Sequence, residues 1–281
     1  MNARAEGSRM VFVGGLHRSG TTPLARALAQ HPEISGLTGT GVREDEGQHL
    51  QHVYPKAKVY GGSGRFAFDP RAHLTEDSPL ATAESAERLR QAWDPHWDLG
   101  RRYLLEKSPP NLVMGRFLQA VFPGSSLVVV TRHPVVVALS NKKWRRLVSA
   151  DPRRFQSVQS LVRHWVVAHQ HFADDLPHLQ RVHVVRYEDL VAQPERELAA
   201  VGEFLGLSSP VPADGLTAGA SARYEEQWRT WGDWWRPQHA VRRAVESRLA
   251  DEVARFGYDV HDLTGRAGTP EPLGARRGGA A

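Results

Sequence analysis

Val11-Phe12-Val13-Gly14-Gly15-Leu16-His17-Arg18-Ser19-Gly20-Thr21-Thr22-Pro23-Leu24 reads as a buried strand, a glycine-rich turn and the start of a helix. Gly15 and Gly20 let backbone amides close around an anion, and the helix N-terminus adds partial positive charge at the same place. Pro23 suits the first helical turn, and Thr22 is the expected cap. The spacing from Gly15 to Gly20, ending in Thr22, matches the phosphate loop of ATP- and GTP-binding proteins, except that Thr21 stands where a lysine belongs. That lysine reaches the terminal phosphates, and a nucleoside triphosphatase also needs magnesium held by an acidic strand end. Neither requirement is evident, and Arg18 offers a planar bidentate donor instead. Gly15, His17, Arg18, Ser19, Gly20, Thr21 and Thr22 are therefore the candidate residues of a phosphate cradle that serves some other anion.

Outward from this loop, apolar runs alternate with helical patterns. Met10–Val13, Tyr103–Leu105, Leu127–Thr131 and Val182–Val185 are the expected strands, all four read as buried. Helices are expected at Thr22–Gln30, Asn111–Val121, Val135–Trp144 and about Phe155–Asp174. Strands separated by helices imply an α/β fold, a single domain with a central parallel sheet flanked by helices, whose ligands bind beyond the C-terminal strand ends. The expected domain spans 9–263, interrupted by an insertion at about 38–98 that is rich in Gly, Pro, His and charge. Residues 1–8 and 264–281 lack apolar periodicity and read as flexible ends.

Composition narrows the chemistry. Of 281 residues, 41% are hydrophobic and 24% charged, which excludes a mainly disordered chain. There is no cysteine, so disulfides, thiolate zinc sites, iron–sulfur clusters and cysteine nucleophiles are excluded. His164, His169 and His171 form no metal-ligand pattern, and no metal is expected. The net charge of +5 is scattered rather than gathered in a tract, which speaks against nucleic-acid binding. No apolar run approaches membrane-span or leader length, so a cytoplasmic protein is expected.

A second anion site is suggested at Leu127-Val128-Val129-Val130-Thr131-Arg132-His133-Pro134, where Arg132 ends a buried strand and Ser140 follows eight residues later. With these residues in order, the chain resembles the sulfotransferases that use 3′-phosphoadenosine 5′-phosphosulfate (PAPS), most nearly the bacterial and protein-tyrosine branches. The first motif of that family reads like Gly14 to Thr22, and its 3′-phosphate pair fits Arg132 and Ser140. Leu105-Glu106-Lys107-Ser108-Pro109 looks like its lysine-containing strand end, and Arg186-Tyr187-Glu188-Asp189-Leu190 like its tyrosine–acid motif near the nucleotide. The resemblance covers roughly Met10 to Leu207, with a weaker echo at Phe256-Gly257-Tyr258, and implies a fold related to nucleotide kinases.

What the resemblance implies is transfer of a sulfuryl group from PAPS to an acceptor hydroxyl, expected on a small molecule, with release of 3′-phosphoadenosine 5′-phosphate (PAP). In-line displacement needs a positioned acceptor oxygen, a base and cations for the developing charge. Lys107 takes the last role by resemblance, and Tyr187, Arg223 and Tyr224 are placed near the nucleotide. The base is left among three residues of Val42-Arg43-Glu44-Asp45-Glu46-Gly47-Gln48-His49-Leu50: Glu46 first, Glu44 and His49 as rivals. If a helix begins at Glu46, then Glu46 and His49 share a face. Tyr54, Tyr60, Phe66 and Phe68 around Gly61-Gly62-Ser63-Gly64 are read as an acceptor-binding lid, and Trp228, Trp231 and Trp235 as core packing at helical spacing. The competing classes are a phosphate-loop kinase or nucleotide hydrolase, and a non-catalytic nucleotide- or nucleic-acid-binding module.

Overall fold

The computed structural model describes residues 9–148, 156–216 and 219–264. Five strands form one fully parallel sheet: β1 (Arg9–Gly15), β2 (Ile34–Gly36), β3 (Tyr103–Lys107), β4 (Ser126–Thr131) and β5 (Val182–Arg186), in the spatial order β2-β3-β1-β4-β5. The period-two alternation of the strands builds a core on each face. Phe12, Leu127 and Val129 point to one side and join Trp93, Phe117 and Trp165. Val11, Val13, Val128 and Val130 point to the other and join Leu24, Leu28 and Leu198.

Helices cover both faces: α1 (Thr21–Ala29), α2 (Ala83–Trp93), α3 (Gly115–Val121), α4 (Pro134–Val148), α5 (Val158–Asp175), α6 (Tyr187–Ala192), α7 (Pro194–Leu205), α8 (Ala222–Thr230) and α9 (His239–Ala254). From β1 the chain runs out to β2, returns through β3 beside β1, and then crosses to β4 on the other side of β1, so the winding reverses at β1. The crevice at such a reversal is where open α/β sheets bind ligands, and here it gathers Gly15, Lys107 and Thr131.

Several sequence expectations change. β2 was not foreseen: three residues are too short for a periodic signal, and its existence rests on pairing Ile34 with Tyr103. β5 is an edge strand with only Val185 fully buried, so the expectation of four buried strands fails there. The helix expected over Asn111–Val121 divides into a 3₁₀ turn, Pro109–Val113, and α3, because Asn111 turns inward and donates to Val13 O (3.2 Å) and Glu106 Oε2 (2.6 Å). Thr22 does not cap α1; Gly20 does, at φ +104°, with no side-chain cap. The tryptophan stripe is not one packed face. Trp228 is buried and donates to Val260 O (2.7 Å), but α8 stops at Thr230 and Trp235 is 64% exposed. Of the expected flexible ends, only Thr264 lies within the described residues.

The insertion is built from five short 3₁₀ turns between Arg43 and Ala72, followed by α2 and a sixth turn, Asp94–His96. Buried side chains hold it together. Gln51 accepts from the amides of Val53 (2.6 Å) and Tyr54 (2.9 Å) and donates to Tyr54 O (2.9 Å). Trp93 Nε1 donates to Gly47 O (3.1 Å), and the Ala67 amide donates to His164 Nε2 (3.1 Å) on α5. Tyr54 and Phe66 are themselves core residues, Phe66 with no exposed surface, which corrects their expected place in an acceptor lid.

Candidate active site

The loop 16–20 is shaped from within. Gly15 leaves β1 at φ +150° against Val130 O, where a β-carbon would sit 2.5 Å from that oxygen. The Ser19 hydroxyl donates to Leu16 O and closes the turn internally, so Ser19 serves the loop's shape and its side chain does not line the cleft. A β-carbon at Gly20 would lie 2.2 Å from the Tyr187 ring, so only glycine lets α6 approach the loop this closely. Arg18, at φ +75°, is held outward by its Nε hydrogen bond to Ser140 Oγ (3.0 Å). The loop and the start of α4 are thus joined through two residues that the sequence placed at separate anion sites.

Arg132 leaves the end of β4 and is 6% exposed. It donates to Arg18 O (3.0 Å) and Ser221 Oγ (2.7 Å), lies 4.0 Å above the Tyr187 ring, and keeps a buried Nε without a partner. Among the described residues no carboxylate pairs with it, and burial pushes its pKa down. A buried guanidinium without a counter-ion is costly unless an anion arrives. Ser140, Tyr187, Arg223 and Tyr224 complete this wall, with Arg223 stacked 4.6 Å over the Tyr224 ring. Ser221 escaped the sequence reading because 89 residues separate it from Arg132.

The opposite wall centres on Glu46. Its Oε1 lies 3.3 Å from Lys107 Nζ and its Oε2 3.6 Å from His49 Nε2 and 2.7 Å from Gln48 Nε2. Burial favours the neutral acid, yet His49, His17, Lys107 and Gln48 outweigh it and hold Glu46 at about 2. Glu46, His49 and His17 line the cleft, whereas Lys107 sits behind Glu46, 4% exposed. His17 is pushed down to about 4, chiefly by burial and against the pull of Glu46; its Nδ1 is buried without a partner. No regular helix begins at Glu46: it precedes a single 3₁₀ turn, Gly47–His49, and the shared face with His49 survives in that turn. Glu44 stands apart at the rim, paired with Arg26 at 3.4 Å.

Behind these groups lies a support missed in the sequence. Glu106, fully buried, accepts from Gly47 N (2.9 Å), Ser108 Oγ (2.6 Å) and Asn111 Nδ2 (2.6 Å), and so fixes the turn that carries Glu46. It does not pair with Lys107 in a surface bridge; along a strand the two point to opposite faces. Burial pushes its pKa up to about 6. A β-carbon at Gly47 would meet Glu106 at 2.6 Å, so only glycine fits over this carboxylate. Together the two walls enclose a cleft of about 1200 Å³. Among the described residues no group of three His, Asp or Glu side chains is arranged to hold a metal ion, and no helix is long and apolar enough to cross a membrane.

A glycine-rich loop at the reversal point of a parallel sheet, without a lysine of its own but with one on the neighbouring strand, defines a fold of the phosphate-loop-like class. The family model of the sulfotransferase family matches residues 10–210. The chain belongs to the sulfotransferase family. It is 26% identical over 204 residues to protein-tyrosine sulfotransferase 2 of Gallus gallus, covering 71% of this chain and 51% of that protein. It is 25% identical over 259 residues to nodulation protein NoeE of Sinorhizobium fredii, covering 85% and 58%. The chain thus spans only about half the length of these curated relatives. Its fold matches the crystal structure of a sulfotransferase from Alicyclobacillus acidocaldarius with a TM-score of 0.53 at 16% identity, over 93% of this chain and 97% of that one.

Proposed function

We propose that residues 9–263 form the catalytic domain of a PAPS-dependent sulfotransferase acting on a hydroxyl acceptor and releasing PAP, in the cytoplasm. The observation that carries this reading is the buried Lys107–Glu46 pair, 3.3 Å apart at the end of β3, beside a phosphate loop that lacks its own lysine. When bound, PAPS supplies the sulfuryl group and PAP is the leaving group. The amides of the loop, with the Thr21 and Thr22 hydroxyls and Arg18, would hold the 5′ end. Arg132 and Ser140 would hold the 3′-phosphate, giving the buried guanidinium its missing anion. Tyr187, Arg223 and Tyr224 flank the nucleotide. Lys107 would stabilise charge on the sulfonyl oxygens by turning its ammonium past Glu46 from its place behind the cleft wall, and Glu46, ionised and on that wall, would accept the acceptor's proton. Glu44 is the weaker rival because its carboxylate is engaged by Arg26, and His49 orients Glu46 from 3.6 Å.

The test compares PAP with adenosine 5′-phosphate, which lacks the 3′-phosphate. Wild-type protein is expected to bind PAP at least ~100-fold more tightly, about the worth of a charge-assisted, desolvated phosphate contact. Arg132→Ala should collapse most of that gap. Equal affinity of the wild-type protein for both nucleotides would contradict the assignment.

A further inference from the structure

The chain as a whole is nearly balanced, with 36 Lys and Arg against 31 Asp and Glu. The cleft is not: among the described residues Arg18, Arg26, Arg43, Lys56, Lys58, Arg65, Arg132 and Arg223 line it, against Glu44 and Glu46. Both carboxylates are already engaged, Glu44 by Arg26 and Glu46 by Lys107. PAPS carries about four negative charges, two of them on a phosphate monoester. Arg18, Arg132 and Arg223, with the loop amides and the N-terminus of α1, face that charge at the nucleotide end. Arg26 is taken by Glu44 and Arg43 has an interaction of its own; Lys56, Lys58 and Arg65 remain, and all three belong to the insertion.

Their placement is specific. Lys56 Nζ donates to His49 O (3.2 Å), which sets an ammonium one residue-contact away from Glu46. Lys58 lies in the next 3₁₀ turn, Ala57–Tyr60, and Arg65 folds its stem over Gly61, whose β-carbon would meet Arg65 Cβ at 2.9 Å. The turn between them is pinned to α4 through Ser63 Oγ and Asn141 Oδ1 (3.2 Å). Neither Lys58 nor Arg65 has a carboxylate within 4 Å among the described residues. A cleft with one sign of charge and low-dielectric walls concentrates ligands of the opposite sign.

We infer that the acceptor is itself an anion: a hydroxyl compound that carries an oxyanion, carboxylate or phosphate, read by Lys56, Lys58 and Arg65 while its hydroxyl lies at Glu46. This rests on the sulfotransferase reading and narrows its acceptor class. It also revises the sequence view of scattered charge, since residues 56, 58 and 65 become a basic wall only when the insertion folds against α4 and α5.

The test uses matched probes on protein saturated with PAP: 4-hydroxyphenylacetate, its neutral amide 4-hydroxyphenylacetamide, and 4-hydroxybenzylphosphonate, titrated calorimetrically. The two anions are expected to bind at least tenfold more tightly than the amide at low salt, with the difference shrinking as salt rises. The order of carboxylate and phosphonate tells which oxyanion the wall prefers. In the double variant Lys58→Gln/Arg65→Gln the gap should close to within about threefold. Equal affinity for anion and amide, a gap untouched by the double variant, or no binding of any probe would overturn the inference. Failure of the protein to bind PAP in the first step would instead count against the sulfotransferase reading.

Discussion

The nucleotide wall of the cleft hangs on the strand ends of a regular sheet, whereas the acceptor wall hangs on 3₁₀ turns tied down by single buried side chains. In the first, Gly15, Gly20 and the end of β4 set the geometry through backbone conformation, and Arg18 and Arg132 inherit their positions from it. In the second, Glu46 is where it is because Glu106 holds Gly47, Gln48 holds Ala57 N (3.1 Å), Gln51 holds Val53 and Tyr54, and His164 holds Ala67. On the proposed reading, donor binding and acceptor choice fall to different parts of the fold: the sheet ends carry the cradle, and the insertion carries Glu46, the proposed base, and the neighbouring cations.

The largest expected effect falls where the walls meet. Lys107→Ala should lower PAP release from PAPS by about 10²–10³ in kcat, the usual cost of removing one charge-stabilising donor, and should also lower stability by about 3 kcal/mol because Glu46 is left without its buried partner, so turnover is compared on the folded fraction. A variant that turns over within tenfold of wild type would separate Lys107 from the chemistry. Next, Glu46→Gln should cost about 10²–10³, and Glu44→Gln less than about twofold, because only Glu46 lies in the buried network with Lys107 and His49. The reverse ranking would move the base to the rim and break the account of the acceptor wall.

The smallest effect concerns the anchoring of the insertion. Burial pushes His133 and His169 down to about 4 and His164 to about 3. A depressed histidine pKa stabilises the fold above the unfolded value of 6.5. That stability is lost as pH falls from 6.5 through 4, and through 3 for His164, on the order of 3–5 kcal/mol per buried ring. Since His164 Nε2 must stay unprotonated to accept from Ala67 N, the insertion should loosen with it. Hydrogen exchange between pH 7 and 4.5 is expected to rise at Ala67 and its neighbours before it rises in β1 and β4. Uniform protection across both regions would show that the two walls are not separately anchored.

Legibility followed the same division. The loop from Gly15 to Thr22 was readable because glycine positions and a strand-to-helix change are local properties, and β3 and β4 because continuous apolar runs mark strands buried on both faces. Even there the cap was misplaced, since Thr22 looks like a cap while Gly20 alone fits beneath Tyr187. The insertion was opaque. Glu44 and Glu46 are two residues apart in an irregular stretch, and nothing local shows that one faces Arg26 and the other Lys107, 61 residues away. Tyr54 and Phe66 carried the aromatic signature of a binding lid and instead became core. Ser221 meets Arg132 across 89 residues, and Glu106 fixes the turn of Glu46 through Gly47, 59 residues away, so no spacing rule could have found them.

The central claim is that this cradle holds an adenosine nucleotide with a 3′-phosphate rather than a nucleoside triphosphate, and its most direct test is calorimetric titration with PAP and, in parallel, with ATP and magnesium. On the proposed reading PAP binds at least ~100-fold more tightly, because Arg132 has no paired carboxylate among the described residues and position 21 lacks the triphosphate-binding lysine. Preference for ATP with magnesium, or no measurable binding of PAP, would contradict it.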